Sequence, residues 1–195
     1  MQNRLKGRVG SQKMLIACAY ALAFLSLVVR FYRYAYSTTW HCVHGNHTEI
    51  GERRIRLPIL WWKEPGSGWN DESLVERGVL SLVRAYPTGS FDQPRIVIRP
   101  AGTWEVGATD EEIRESMQGT IAQMNQGSKT GWSYSLVILT LRNHRMYCVR
   151  DDLNQFGANQ LVMLNCSAAK MPYSFGYSGP ATQEKEAESI LSTLD

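Results

Sequence analysis

Hydrophobic patterning divides the chain at about residue 36. Met14 to Val29 is a run of sixteen residues without a charge. Arg30, Phe31, Tyr32, Arg33, Tyr34, Tyr36 and Trp40 follow it as an aromatic and basic collar. A bilayer core takes ~20 mostly apolar residues, with a lower limit of about 17. Aromatic rings settle at headgroup level and extend such a span, while arginines keep their heads in water. The pattern predicts a basic tail over 1–13 and one transmembrane signal-anchor helix over 14–36. Arg4, Lys6, Arg8 and Lys13 precede the run and only Arg30 and Arg33 follow it closely. The positive-inside rule therefore places the N-terminus in the cytoplasm and residues 37–195 outside. A cleaved signal peptide is the competing reading, but its apolar region is about 7–15 residues. The exit flank here is bulky and basic, and Ala19-Tyr20-Ala21 lies inside the run. Leu15-Ile16-Ala17-Cys18 spells a lipobox, yet Lys13 stands too close ahead of it. Cys18 thus reads as a small apolar residue of the helix.

Beyond the anchor the period changes. Ile55, Leu57 and Ile59 alternate with polar or special residues, so Glu49–Leu57 reads as a strand ending at Pro58. Asp71–Arg77 reads as a helical turn. Val79–Tyr86 and Arg95–Arg99 read as the next strands. Thr109 with Glu112 forms a capping-box signature for a helix over Asp110–Gln126. Ile113, Met117, Ile121 and Met124 share one face of that helix. Ser135–Leu141 is nearly continuous apolar sequence, as in a central strand covered on both faces. Arg142–Arg145 reads as a tight turn, with Met146–Val149 returning and Gln160–Cys166 as the next strand. A last helix is expected over Gln183–Leu194, capped by Thr182, with Ala187, Ile190, Leu191 and Leu194 as its apolar stripe.

Strands, a helix, an antiparallel meander and a closing helix make an α+β fold: one mostly antiparallel sheet packed with two main helices, an α/β/α sandwich-like arrangement. The outer part is expected to be one domain over 48–195, joined to the anchor by a membrane-proximal segment, 37–47. Ser37–Thr39, Gly66–Asn70, Thr88–Gln93 and Phe156–Asn159 read as short loops or linkers. In element order, residues 48–195 resemble the α/β/α sandwich of the PsbP-like extrinsic photosystem II proteins. The resemblance rests on the capped middle helix, the meander and the Ala-Glu-Ser-Ile-Leu-Ser-Thr-Leu tail. It implies the sandwich fold and, since several such domains are non-catalytic accessory or assembly factors, a role of that kind. It carries over no functional residue.

The charge balance sharpens this picture. Residues 1–36 hold six Lys/Arg and no Asp/Glu, whereas residues 37–195 hold fifteen and eighteen. The net +3 of the chain thus divides into +6 on the anchor and −3 outside. An acidic outer domain without a basic stripe argues against nucleic acid as a partner. The partners expected are the lipid bilayer and a protein at or near it. Of four cysteines, Cys42, Cys148 and Cys166 lie outside the anchor. Cys148 and Cys166, in successive strands, are the pair best placed for a disulfide; two buried thiols are the alternative.

Candidate chemistry is sparse. His41, Cys42, His44 and His47 cluster metal-capable side chains, but H-C-x-H-x-x-H lacks the second ligand pair of a structural zinc site. Asn46-His47-Thr48 is a glycosylation sequon, relevant only in a eukaryotic lumen. Trp61, Trp62 and Trp69 flank a Gly/Pro loop as a ligand platform, or else close the core. Asp151, Asp152 and Asn154 offer calcium-compatible oxygens without the full ligand set. His144 and Cys148 are close in sequence, but no third group orients them. Glu111, Glu112 and Glu115 read as cap and surface charges. Nucleophile elbows, P-loops, dinucleotide fingerprints and zinc-protease helices are all missing, so no catalytic residue and no cofactor is expected. The expectation is a membrane-anchored extracytoplasmic accessory or protein-interaction module. Small-ligand or metal binding through His41–His47 or Trp61/Trp62 is the alternative, and a hydrolase with an unrecognised site is the second.

Overall fold

A computed structural model describes residues 2–50, 53–64, 78–86, 93–127, 132–141, 144–153 and 160–194, with side chains from Met14 onward except that of Leu153. The expected turn at Asp71–Arg77, the Gly66–Asn70 and Phe156–Asn159 loops, nearly all of the Thr88–Gln93 loop, the tip Arg142-Asn143, Trp69 and Asn154 lie outside those residues.

The first element is one helix, α1 (Gln2–His44). It extends eight residues past the expected end at 36, so Ser37–Thr39 is helical and not a linker. Residues 14–32 of α1 are exposed along their whole length. At 1.5 Å per residue they measure about 28 Å, close to the hydrocarbon thickness of a bilayer. Met14–His44 is long and apolar enough to cross a membrane. Beyond Tyr34 the helix changes character and becomes part of the fold.

Strands β1 (His47–Ile50) and β2 (Arg53–Arg56) form an antiparallel hairpin, with Ile50 opposite Arg53. The sequence reads as one strand here; the chain instead doubles back between Ile50 and Arg53. Ile50, Ile55 and Leu57 turn into the core while Arg53 and Arg54 stay out of it.

The main sheet has seven antiparallel strands in the order β3-β4-β5-β9-β8-β7-β6. They are β3 (Trp61–Lys63), β4 (Leu80–Arg84), β5 (Arg95–Pro100), β6 (Trp132–Leu141), β7 (His144–Leu153), β8 (Leu161–Ser167) and β9 (Tyr173–Pro180). Strand β9 is absent from the sequence expectation, yet it sits at the centre and joins β5 to β8. Helices α2 (Thr103–Gly107) and α3 (Asp110–Gly127) lie between β5 and β6. A 3-10 turn (Ala181–Gln183) leads into α4 (Glu184–Leu191). Thr182 therefore lies inside that turn and does not cap the last helix, which ends three residues earlier than expected.

Alternation puts two chemistries on the two faces of the sheet. One face carries Leu82, Ile96, Ile98, Phe175, Tyr177, Leu164, Val162, Cys166, Cys148 and Met146, the main core. Helix α4 and the β1–β2 hairpin cover it through Ala187, Ile190, Leu191, Leu194, Ile55 and Leu57, all buried. Arg150 fastens α4 to β7, bonding both carboxylate oxygens of Glu184 at 2.6 and 2.8 Å, and Arg84 bonds Glu186 at 2.7 Å.

Among the described residues, the opposite face is covered at its two ends. Helix α3 lays Ile113 and Met117 over Tyr147 and Leu136. Its capping box forms as spelled: the Thr109 N–H donates to Glu112 Oε2 at 2.8 Å and the Glu112 N–H to Thr109 Oγ1 at 3.3 Å. The Thr109 N–H first, and the Thr109 hydroxyl that also donates to Glu112 Oε2 at 2.8 Å second, hold the Glu112 carboxyl below its ordinary pKa. Past Met117 the helix runs beyond its support, which leaves Ile121 half-buried and Met124 exposed. At the other end, Tyr34 and Trp40 of α1 pack with Trp62, Val83 and Ala85.

Candidate functional site

The seam between α1 and β3 is built from residues that do not look apolar. Tyr34, Ser37 and His41 fall three and four apart, on one side of α1. Ser37 is fully buried, and its hydroxyl donates to the Ile59 carbonyl at 2.5 Å. His41 is 8% exposed; its Nε2 lies 2.7 Å from the Trp61 carbonyl, and its Nδ1 lies 2.9 Å from the Gly45 carbonyl and 3.1 Å from Asn46 Oδ1. Leu60 and Glu64 bond their main chains to β4. The Trp61 carbonyl, of opposite parity, therefore faces away from β4, and His41 closes that edge of the sheet. Tyr36 meets Trp62 edge-on at 5.6 Å. Helix α1 thus joins the sheet as a packed element.

This placement disperses the metal-capable cluster. His41 turns inward, Cys42 is exposed, His44 stacks on Trp40 with ring centroids 4.7 Å apart, and His47 opens β1. Among the described residues no group of three or more His, Cys, Asp and Glu could hold a metal ion. The tryptophan platform is also undone. Trp61 is wholly buried in the main core and Trp62 is buried on the other face, since consecutive strand residues point opposite ways.

Cys148 and Cys166 are directly paired across β7 and β8 and joined by a disulfide. Cys148 therefore has no thiol to offer His144. Asp151 and Asp152 lie in strand β7 rather than in a loop. Asp152 bonds Arg150 and Gln160 on the α4 side. Asp151 points the other way, is 9% exposed, and leaves Oδ1 without a hydrogen-bond partner among the described residues. Burial first, and the neighbouring Asp152 second, raise its pKa above the ordinary aspartate value. Burial and the nearby Asp151 likewise raise the Tyr134 phenol.

Between α1 and α3 no described residue covers the sheet. Arg95, Val97 and Arg99 of β5, Gly176 and Ser178 of β9, and Met163 and Asn165 of β8 line a groove of about 190 Å³. Gly176 leaves its floor without a side chain. Arg95 reaches Glu64 at 3.3 Å, while Arg99 donates to Ser174 Oγ at 2.9 Å and has no carboxylate partner among the described residues. Sequence reading missed this groove because its floor is β9. Only the i, i+4 spacing of Arg95 and Arg99 around Val97, on a recognised strand, pointed to it.

No protein family and no curated protein matches the chain. Among solved structures, a crystal structure of a protein from Bacteroides thetaiotaomicron VPI-5482 is similar at a TM-score of 0.43 and 13% identity, covering 75% of this chain and 47% of that one, so the chain spans about half the length of that protein.

Proposed function

We propose that the chain is a single-pass, membrane-anchored accessory or protein-interaction module at the cell (inner) membrane, with its N-terminus in the cytoplasm and its α+β domain outside. One observation carries this reading: α1 continues without a break from its exposed apolar length into the buried seam at Ser37 and His41. A helix so joined holds a domain beside a bilayer in a fixed attitude, which suits presenting a surface to a neighbour. The element-order resemblance to PsbP-like domains leans the same way. Reporter fusions test the topology. A C-terminal fusion active only outside the cytoplasm is expected, and cytoplasmic activity there overturns the orientation. Crosslinking and capture from native membranes then identifies the neighbour.

A second reading, a small-ligand-binding domain, is favoured by the Arg99 guanidinium in the groove. It takes a small anion. Calorimetric titration with inorganic phosphate and with a short dicarboxylate, against an Arg99→Gln variant, tests it; heat that is the same in both proteins removes it.

A further inference from the structure

The two edges of the seven-stranded sheet are finished differently. At β3 the edge is closed by α1. At β6 it is capped at Tyr134: the Asn125 side chain of α3 receives the Tyr134 N–H at 3.3 Å and donates to the Tyr134 carbonyl at 3.2 Å. That amide imitates one rung of a neighbouring strand. It also fixes the parity of β6, because both main-chain groups of one residue in an antiparallel strand point the same way. Leu136, Ile138 and Thr140 therefore turn their N–H and carbonyl groups outward with Tyr134. Among the described residues nothing bonds them. β6 is ten residues long and holds no charge and no proline. Natural edge strands are usually blunted by lysine, proline, a bulge or brevity, because open main-chain groups recruit another strand. Ile138, in the middle of the open stretch, is 51% exposed.

We propose that this edge pairs with the same edge of a second copy, antiparallel, about a twofold axis through Ile138. In that register Ile138 faces its own counterpart, Leu136 faces Thr140, and Thr140 faces Leu136. Each of these pairs exchanges two main-chain hydrogen bonds. The side chains agree with the register. Ile138 covers Ile138 on the α3 side, and Val137 lies against Leu139 on the core side, where both already pack. The absence of charge removes the like-charge repulsion that a twofold would otherwise place at its axis. The contact is isologous and closes on itself, so it stops at a dimer. The pairing stands on the strand chemistry; membrane tethering, if the proposed topology holds, only raises the local concentration.

The test uses the full chain in detergent, with Cys18→Ala and Cys42→Ser removing the free thiols. Ile138→Cys is expected to give a covalent dimer with a short thiol-to-thiol crosslinker. Ser133→Cys, on the same strand but roughly 33 Å from its counterpart in this register, is expected to give none. Ile138→Pro removes an outward N–H that no group of the protein uses, so it is expected to fold normally and weaken the dimer at least tenfold by light scattering. Equal crosslinking at both positions, a wild-type chain that stays monomeric at the highest concentration reached, or recovery of β6 paired with a different polypeptide overturns the proposal.

Discussion

His41 places its Nε2 2.7 Å from the main-chain carbonyl of Trp61, so a side chain of the anchor helix closes an edge of the sheet. Both partners are shielded from water, and His41→Ala leaves a buried carbonyl without a donor. The loss is expected to be roughly 1–3 kcal/mol. Denaturant unfolding of the full chain, followed by tryptophan fluorescence, measures it. An unchanged midpoint would mean the seam does not contribute to domain stability.

Gly179 adopts φ +153°, and a Cβ there would sit 2.8 Å from the Cα of Pro94 and 2.9 Å from the Tyr177 hydroxyl. That hydroxyl is committed to the Pro180 carbonyl at 2.7 Å and is buried, which lifts its pKa well above the ordinary phenol value. Neither neighbour can retreat cheaply. Gly179→Ala is expected to destabilise by about 2–4 kcal/mol, through backbone strain and overpacking together. Gly127→Ala, with nothing within 4 Å of its Cβ, is the matched control.

Asp151 gives a pH signature. Its carboxyl pKa is raised on folding, so the fold favours the protonated form. Stability from this site is present in acid and is lost as pH climbs from the ordinary aspartate range through the raised value. Asp151→Asn is expected to stabilise the protein at neutral pH, by on the order of 1 kcal/mol, the scale of one unpaired buried oxygen. The gain should shrink as pH falls. A gain that does not vary with pH would assign the effect to packing.

The Cys148–Cys166 disulfide closes a loop of sequence separation 18. Its removal by paired Cys→Ala substitution is expected to lower stability by roughly 3 kcal/mol, the chain-entropy value for a loop of that size. Thiol titration of the unfolded chain without reductant should find Cys18 and Cys42 and nothing else; four reactive thiols would contradict the bond.

What was legible in the sequence follows from which forces act locally. Thr109 and Glu112 announce α3 because a capping box is a contact between residues three apart. The Leu-Val-Ile-Leu run announces β6 as a strand because both its faces are apolar, but it reads as a central one; β6 instead lies at the sheet edge, with Ile138 51% exposed, because which strand pairs with which is not a local property. Strand β9 is illegible for the opposite reason. Tyr-Ser-Phe-Gly-Tyr-Ser-Gly-Pro carries the punctuation of a loop, yet Phe175 and Tyr177 fill the core while Ser174, Gly176 and Ser178 face the thinly covered side. Two flanking strands, β8 next to it in the chain and β5 more than seventy residues away, make it a strand. The seam is hidden in a similar way. Ser37 and His41 are polar, so no periodicity of apolar residues marks the buried face of α1 past Tyr34. The metal-like cluster at His41–His47 was legible as composition only: a helix ending at His44 points its histidines in different directions.

The unbroken passage of α1 into the sheet edge also has a mechanical meaning. With Ser37 bonded to Ile59 and His41 to Trp61, no swivel separates the apolar length from the domain. A helix that tilts to match a thinner or thicker bilayer would carry the sheet through the same angle. The groove at Arg95 and Arg99 and the open edge at Ile138 would then swing together, like a vane on a shaft, and bilayer thickness would set the direction each one faces.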